Sequence, residues 1–355
     1  MIIYSKNSGS NTAVFGNFEL PIKMVIENES DILSKKGGIR DWLFNVEKSN
    51  KFGESIILQN EFDVFRSVSE GNGAESDAPS EIFTKFIEHI QFMKEFVVTA
   101  EMVEDCNFGL AVDAKRRAES FTRAYYKTMN KICESALMNA HNEVCTFAGA
   151  DIDLSTADGY PLFSNMHTWG NNSSSGKNGT QSNYFWGDIF CGGTGDARVA
   201  STAAFEEALA ELSVKLRSMK DENGEALGYT ADTLIIPGNK PRLEQIVKKV
   251  CGSDGALGNG YNDINLHYGS WNIVILPNWQ PEDNRIMVMS SEANRNLAGN
   301  MFFNRVPLTV TNWVDNHTGN YYWNGRCRFG VGFGTYKHIL LAVDSTEAVE
   351  SATKL

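Results

Sequence analysis

From Ser55 onward the chain alternates with a period of two. Ile56, Leu58, Phe62, Val64 and Val68 fall on one face, and Gln59, Glu61, Asp63 and Ser67 on the other, which is the pattern of a strand with one face covered. A polar tip, SEGNGAESDAPS (Ser69 to Ser80), interrupts it. The chain then returns through EIFTKFIEHIQFMKEFVV, where Phe86, Ile90, Phe92, Phe96 and Val98 again share a face. Two long strands joined by a solvated tip form a hairpin, and an isolated hairpin is marginal in water. It must therefore lie on something: the rest of a compact domain, or a neighbour.

Charge bears on that choice. Residues 51 to 100 hold nine acidic and four basic side chains, a balance of −5. Docking of such an element calls for a basic counterpart. Residues 113 to 140 offer one, with Lys115, Arg116, Arg117, Arg123, Lys127 and Lys131 against Asp113, Glu119 and Glu134. The same stretch predicts the longest helix of the chain. Leu110, Ala114, Ala118, Phe121, Tyr125, Thr128, Ile132, Ala136 and Ala140 recur every three to four residues, an apolar stripe about eight turns long. The basic residues then form either a solvated helix face or a docking face.

The rest of the chain reads as separate blocks. Residues 1 to 40 show no sustained period and predict an extended arm, or a frayed terminus. Thr168 to Ala197 is rich in Gly, Asn and Ser. Ser201 and Thr202 can cap a helix whose first turn carries Glu206 and Glu207, with Phe205, Leu209, Leu212, Leu216 and Met219 as its buried stripe. Leu234-Ile235-Ile236 predicts an interior strand, Pro241 to Val250 a helix, and Trp271 to Pro277 and Arg285 to Met289 two more strands. Strands interleaved with helices between 150 and 300 imply a mixed α/β domain. Val306 to Trp313 and the segment from Cys327 return to β pattern, and fit a sheet packed against the long helix.

Composition excludes several functions. The 355 residues carry a net charge of −12, so the chain as a whole repels polyanions and does not resemble a DNA-binding regulator. No apolar run is long enough to span a bilayer. The N-terminus lacks signal-peptide features, which implies folding in a cytoplasm. Cys106, Cys133, Cys145, Cys191, Cys251 and Cys327 form no CxxC pair and read as scattered reduced thiols. Asn178-Gly179-Thr180 then matches a glycosylation sequon by chance. Neither CGGTGDA nor FGVGFG has the order of a phosphate-binding loop, and His89, His141, His267, His317 and His338 show no metal-ligand spacing. Ser164, His167 and Asp158 could suggest a hydrolase triad, but Ser164 lacks the flanks of a nucleophile elbow. His167 is better read as a structural residue hydrogen-bonded within a loop. No catalytic residue, cofactor or metal is expected.

One set of features carries a resemblance. The DG-x-PLFS-x-x-H segment (Asp158, Gly159, Pro161, Leu162, Phe163, Ser164, His167), the amphipathic helix ending in a KDENG turn, and the TLIIP strand occur in an order that resembles the major head subunit of tailed bacteriophages. The family is the Hong Kong 97-type capsid proteins, in their Mu-like branch. The resemblance implies an α+β capsid fold with four parts and a tail: an arm (1–40), an extended hairpin (41–100), a peripheral domain on a spine helix with the C-terminal sheet (101–150 and 301–347), an axial α/β domain (151–300), and a tail (348–355). Function is then architectural, with hexamers and pentamers closing an icosahedral head around double-stranded DNA that is held without sequence-specific contact. Phe62, Val64, Arg66, Glu70, Glu75, Asp77 and Phe86 would reach over a neighbouring copy, and the six basic helix residues would receive them or the genome. A separate scaffolding protein, a portal and a decoration protein are the implied partners, with no membrane. The location would be the virion, assembled in the host bacterial cytoplasm. Some relatives cross-link a hairpin lysine to an asparagine. This tip has no lysine, since Lys85 lies on the return strand, so cohesion should be non-covalent. Alternatives are an encapsulin-type compartment or, further off, a soluble carbohydrate-binding or hydrolytic protein.

Overall fold

The computed structural model describes residues 3–4, 13–59, 65, 67–73, 81–101, 109–169, 179–187, 191–192, 199–200, 202–252, 265 and 267–344. The chain divides into two compact units. One comprises Met1–Glu54, Ile87–Ser135 and Phe302–Val331; the other comprises Ser55–Phe86, Ala136–Met301 and Gly332–Leu355.

The first unit is a sheet covered on one face by the long helix. Strand Asn300–Val314 pairs with Tyr321–Phe333, which pairs antiparallel with Ile90–Val98 so that Trp323 faces Phe96; Ile3–Tyr4 and Asn45–Lys48 add to the other side of Asn300–Val314. The helix Gly109–Met138 follows its apolar stripe. Ala114, Ala118 and Phe121 pack with Leu308, Val310 and Trp323 in one buried cluster, while Phe96 stacks on Trp323 and tilts against Phe121. Gly325 makes this approach possible, because a Cβ there would run into the Phe121 ring. The other sheet face carries Trp313 stacked on Tyr322, with Met93 exposed.

Two expectations change here. Residues 13 to 36, expected within an extended arm, form a helix, Ala13–Lys36. Pro21 lies inside that helix, and the apolar stripe that follows is narrow: Ile22, Ile26 and Ser30 are buried at four-residue spacing, and the Ser30 hydroxyl meets the Tyr126 hydroxyl at 2.9 Å. The return strand of the hairpin is also not continuous. It breaks at His89 into Glu81–Glu88, which pairs with Gly53–Gln59, and Ile90–Val98, which joins the large sheet. His89 is buried there, its Nε2 2.8 Å from Ser49 Oγ.

The second unit is a mixed sheet flanked by helices. Its strand order is Tyr184–Gly187, Ile339–Asp344, Asn284–Met289, Thr233–Pro237, Asn272–Leu276. Every residue of Thr233–Pro237 is buried, as an interior strand requires. Helices Thr202–Arg217 and Pro241–Gly252 supply Phe205, Leu209, Leu212, Leu216, Leu243, Val247 and Val250 to a core shared with Leu234, Ile236, Ile286 and Leu340. The segment Ile339–Asp344 was expected beside the long helix. It is instead fully buried in this second sheet, parallel to Tyr184–Gly187 and antiparallel to Asn284–Met289. An all-apolar strand such as ILLAV suits the middle of either sheet, so its pattern does not choose between them.

Candidate functional site

The hairpin tip is the least covered part of the described chain. Residues 67–73 are all exposed, with a turn closed by the Asn72 amide on the Ser69 carbonyl and with Gly71 at positive φ. Phe65 is fully exposed, and Ile57, Val68 and Phe86 are about half exposed. Glu70 lies at the tip in solvent. Phe62, Val64, Arg66, Glu75 and Asp77, also expected to act here, lie outside the described residues.

Lower down, the hairpin is anchored by charge. Lys85 is buried, with Nζ 2.5 Å from Asp153 Oδ2 and 2.8 Å from Ser155 Oγ. Burial pulls the Lys85 amine down from its ordinary value, against the pull of Asp153. Burial pushes the Asp153 carboxyl up, but Lys85 and Ser155 outweigh it and hold it below its usual range. The lysine nearest the tip is thus committed to an ion pair within its own chain.

The basic helix face divides into two parts. Arg117 donates to the Val97 carbonyl at 2.6 Å. Lys115 and Arg123 lie 3.9 and 3.5 Å from Glu119, and Arg123 also lies 3.6 Å from Glu29. Arg116 is exposed but engaged. Lys127 and Lys131 stand in solvent, without an ion-pair partner among the described residues. Lys127 borders a shallow cavity of about 180 Å³ with Lys36, Arg40, Asp41 and Arg123. Lys36 and Arg40 come from outside the helix, so a reading of the helix alone misses half of this basic group.

Asp158, His167 and Ser164 do not form a triad. His167 is completely buried, with Nδ1 2.8 Å from Asp158 Oδ2 and Nε2 3.1 Å from the Leu162 carbonyl. Both ring nitrogens are therefore taken. Ser164 is engaged elsewhere: its hydroxyl accepts from the Met166 amide, and its own amide donates to Asn183. The cluster binds a loop together, as the sequence suggested for His167. Among the described residues no group of three His, Cys, Asp or Glu side chains could hold a metal ion, and no helix is long and apolar enough to cross a membrane.

No protein-family model matches the chain, and no curated protein does. Solved structures do. The capsid of the cyanophage P-SCSP1u aligns over 88% of this chain and 89% of that one, at 10% identity and a TM-score of 0.50. The capsid of the Myoviridae phage XM1 covers 87% and 92% at 13% identity and a TM-score of 0.49. The capsid of a native GTA particle covers 87% and 90% at 13% identity and a TM-score of 0.49. The fold is the mixed helix-and-sheet fold of the cyanophage capsid chain, as the resemblance implied.

Proposed function

We propose that this chain is the major subunit of a tailed-phage head, which assembles into hexamers and pentamers of an icosahedral shell around double-stranded DNA. The fold shared with a cyanophage capsid chain supports it. The observation that carries it is the hairpin, which holds Phe65, Ile57, Val68 and Phe86 uncovered. A two-stranded ribbon with that much apolar surface gains stability when a second copy covers it.

The mechanism is multivalency. Hairpin, N-terminal segment and domain edges each make modest contacts, and closure of the shell makes the sum effectively irreversible. The acidic tip finds its counterpart in the uncompensated lysines, Lys127 and Lys131, with Lys36 beside the cavity. The net charge of −12 leaves packed DNA free of tight binding to the wall. A separate scaffolding protein, a portal and an outer decoration protein complete the reading, with assembly in the host bacterial cytoplasm. Sedimentation velocity and negative-stain microscopy of the purified chain test it. Closed shells or their hexamer and pentamer precursors are expected, and a monodisperse monomer or dimer at every concentration would overturn it.

A further inference from the structure

The segment Asp158 to His167 has no part in assembly as proposed above, yet it holds a fully enclosed pair of ionisable groups. His167 and Asp158 are almost fully buried, at 0% and 2% side-chain exposure. Each ring nitrogen of His167 faces an acceptor: the Asp158 carboxylate at Nδ1 and the Leu162 carbonyl at Nε2. A neutral imidazole carries a single N–H, so it can donate to one of them only. The other nitrogen would then set a lone pair against an oxygen in a site closed to water, which is costly. The doubly protonated ring donates to both.

The surroundings fit a cation. The ring lies flat on Tyr336, with centroids 3.7 Å apart and planes 7° apart, and Tyr160 meets it edge-on. An aromatic face under a cation is attractive. Asp158 is held as an anion by four donors: His167, the Thr156 hydroxyl, and the Tyr160 and Thr168 amides. Tyr336 in turn donates to the Thr168 carbonyl and accepts from Gln181, whose side chain also grips the backbone of Lys220. Asn183, fully buried, donates to the carbonyls of Leu162, Tyr336 and Ile339.

We infer that His167 is a buried imidazolium that, paired with Asp158, clasps the loop Thr156–Thr168 onto the Tyr336–Ile339 segment, and that loss of either charge releases the loop. Among the described residues, Asp158 is the one carboxylate paired with the ring. The Tyr160 and Tyr336 phenols meet the ring, and Lys337, next to Tyr336 in the chain, is paired with Glu222. Burial pushes the Tyr336 phenol well above its ordinary value, so it stays neutral throughout the accessible range. Burial also pushes the Asp158 carboxyl up, but the hydrogen bond and charge of His167, with Thr156 and the Tyr160 amide, more than reverse this. Because the folded carboxyl titrates below its ordinary 3.8, its contribution is complete above that range and is lost as pH falls through the lowered value. The clasp therefore opens in acid. It does not depend on the chain building shells.

Nitrogen NMR of protein labelled with ¹⁵N-histidine tests this directly, with His167 assigned by its disappearance in His167→Gln. Both ring nitrogens should carry protons at pH 7. A single unprotonated ring nitrogen on His167 in the wild type would overturn the inference. Asp158→Asn should leave His167 with one bare nitrogen at pH 7 and speed hydrogen exchange at the Thr168 amide by at least tenfold. The double variant Asp158→Asn with His167→Gln replaces the ion pair by an uncharged one. Its exchange at Tyr160 and Thr168 should no longer depend on pH between 3 and 7 beyond the intrinsic rate. An acid-dependent opening that persists in the double variant would place the switch elsewhere.

Discussion

Lys85 and Asp153 form an ion pair at 2.5 Å that fastens the return strand of the hairpin to the β-ribbon strand Ala150–Asp153. The amine that could otherwise reach a neighbouring chain is held inside its own. Assembled material boiled in SDS should therefore release chains of 39.4 kDa. A ladder of multiples on the gel would show covalent linkage and contradict this. Lys85→Met should soften the base of the hairpin and cost about 1–2 kcal/mol, less than a fully enclosed pair would, because the Asp153 side chain is 58% exposed and can be rehydrated.

Phe65 touches nothing that shields it, so its replacement should leave the subunit intact. Phe65→Ser should change the thermal midpoint by under a few degrees, in line with about 0.5 kcal/mol for an exposed site. The yield of closed shells on a gradient should nevertheless fall severalfold. Deleting Ser69 to Ser80 should have the same effect, more strongly.

Gly325 sits where Phe121 presses the long helix onto the sheet. Gly325→Val should cost at least about 1–3 kcal/mol by overpacking, visible as a lower urea midpoint with little change in slope. Gly71→Ala, at the exposed tip with nothing within 4 Å of a Cβ, loses only a positive-φ preference, about 1 kcal/mol, and serves as the control.

His338 is fully buried, its Nε2 2.8 Å from Asn300 Oδ1. Burial pulls its titration down to about 3 from an ordinary 6.5. Below 6.5 the unfolded chain takes up a proton that the folded chain refuses. The contribution of this group is thus whole above that pH and declines as pH falls, by up to about 1.4 kcal/mol per unit. His338→Gln keeps a donor for Asn300 and removes the titration. Chemical denaturation at pH 7, 6 and 5 should show a shallower decline in the variant than in the wild type.

Local repeats made much of this architecture legible in the sequence. The helix Gly109–Met138 announces itself by a stripe that stays in phase from Ala114 to Ala136, and Thr233–Pro237 by an apolar run bounded by Pro237-Gly238. What stayed hidden depends on partners distant in the chain. Ile339–Asp344 pairs with Tyr184–Gly187 and Asn284–Met289, and no pattern within a run of five apolar residues names those neighbours. The helix Ala13–Lys36 was masked by Pro21 and by a buried stripe that includes the polar Ser30. On the basic face, composition showed six cations but not that Glu119, Glu29 and the Val97 carbonyl occupy three of them. His167 and Asp158, nine residues apart, meet only because the intervening loop folds back on itself.

A second copy should complete the hairpin. A cryo-electron microscopy map of the purified assembly addresses it at the side chains concerned. Phe65 and Phe86 should be enclosed against a neighbouring subunit. Particles in which both rings stand in solvent, or an isolated subunit with its hairpin folded back on its own body, would contradict it.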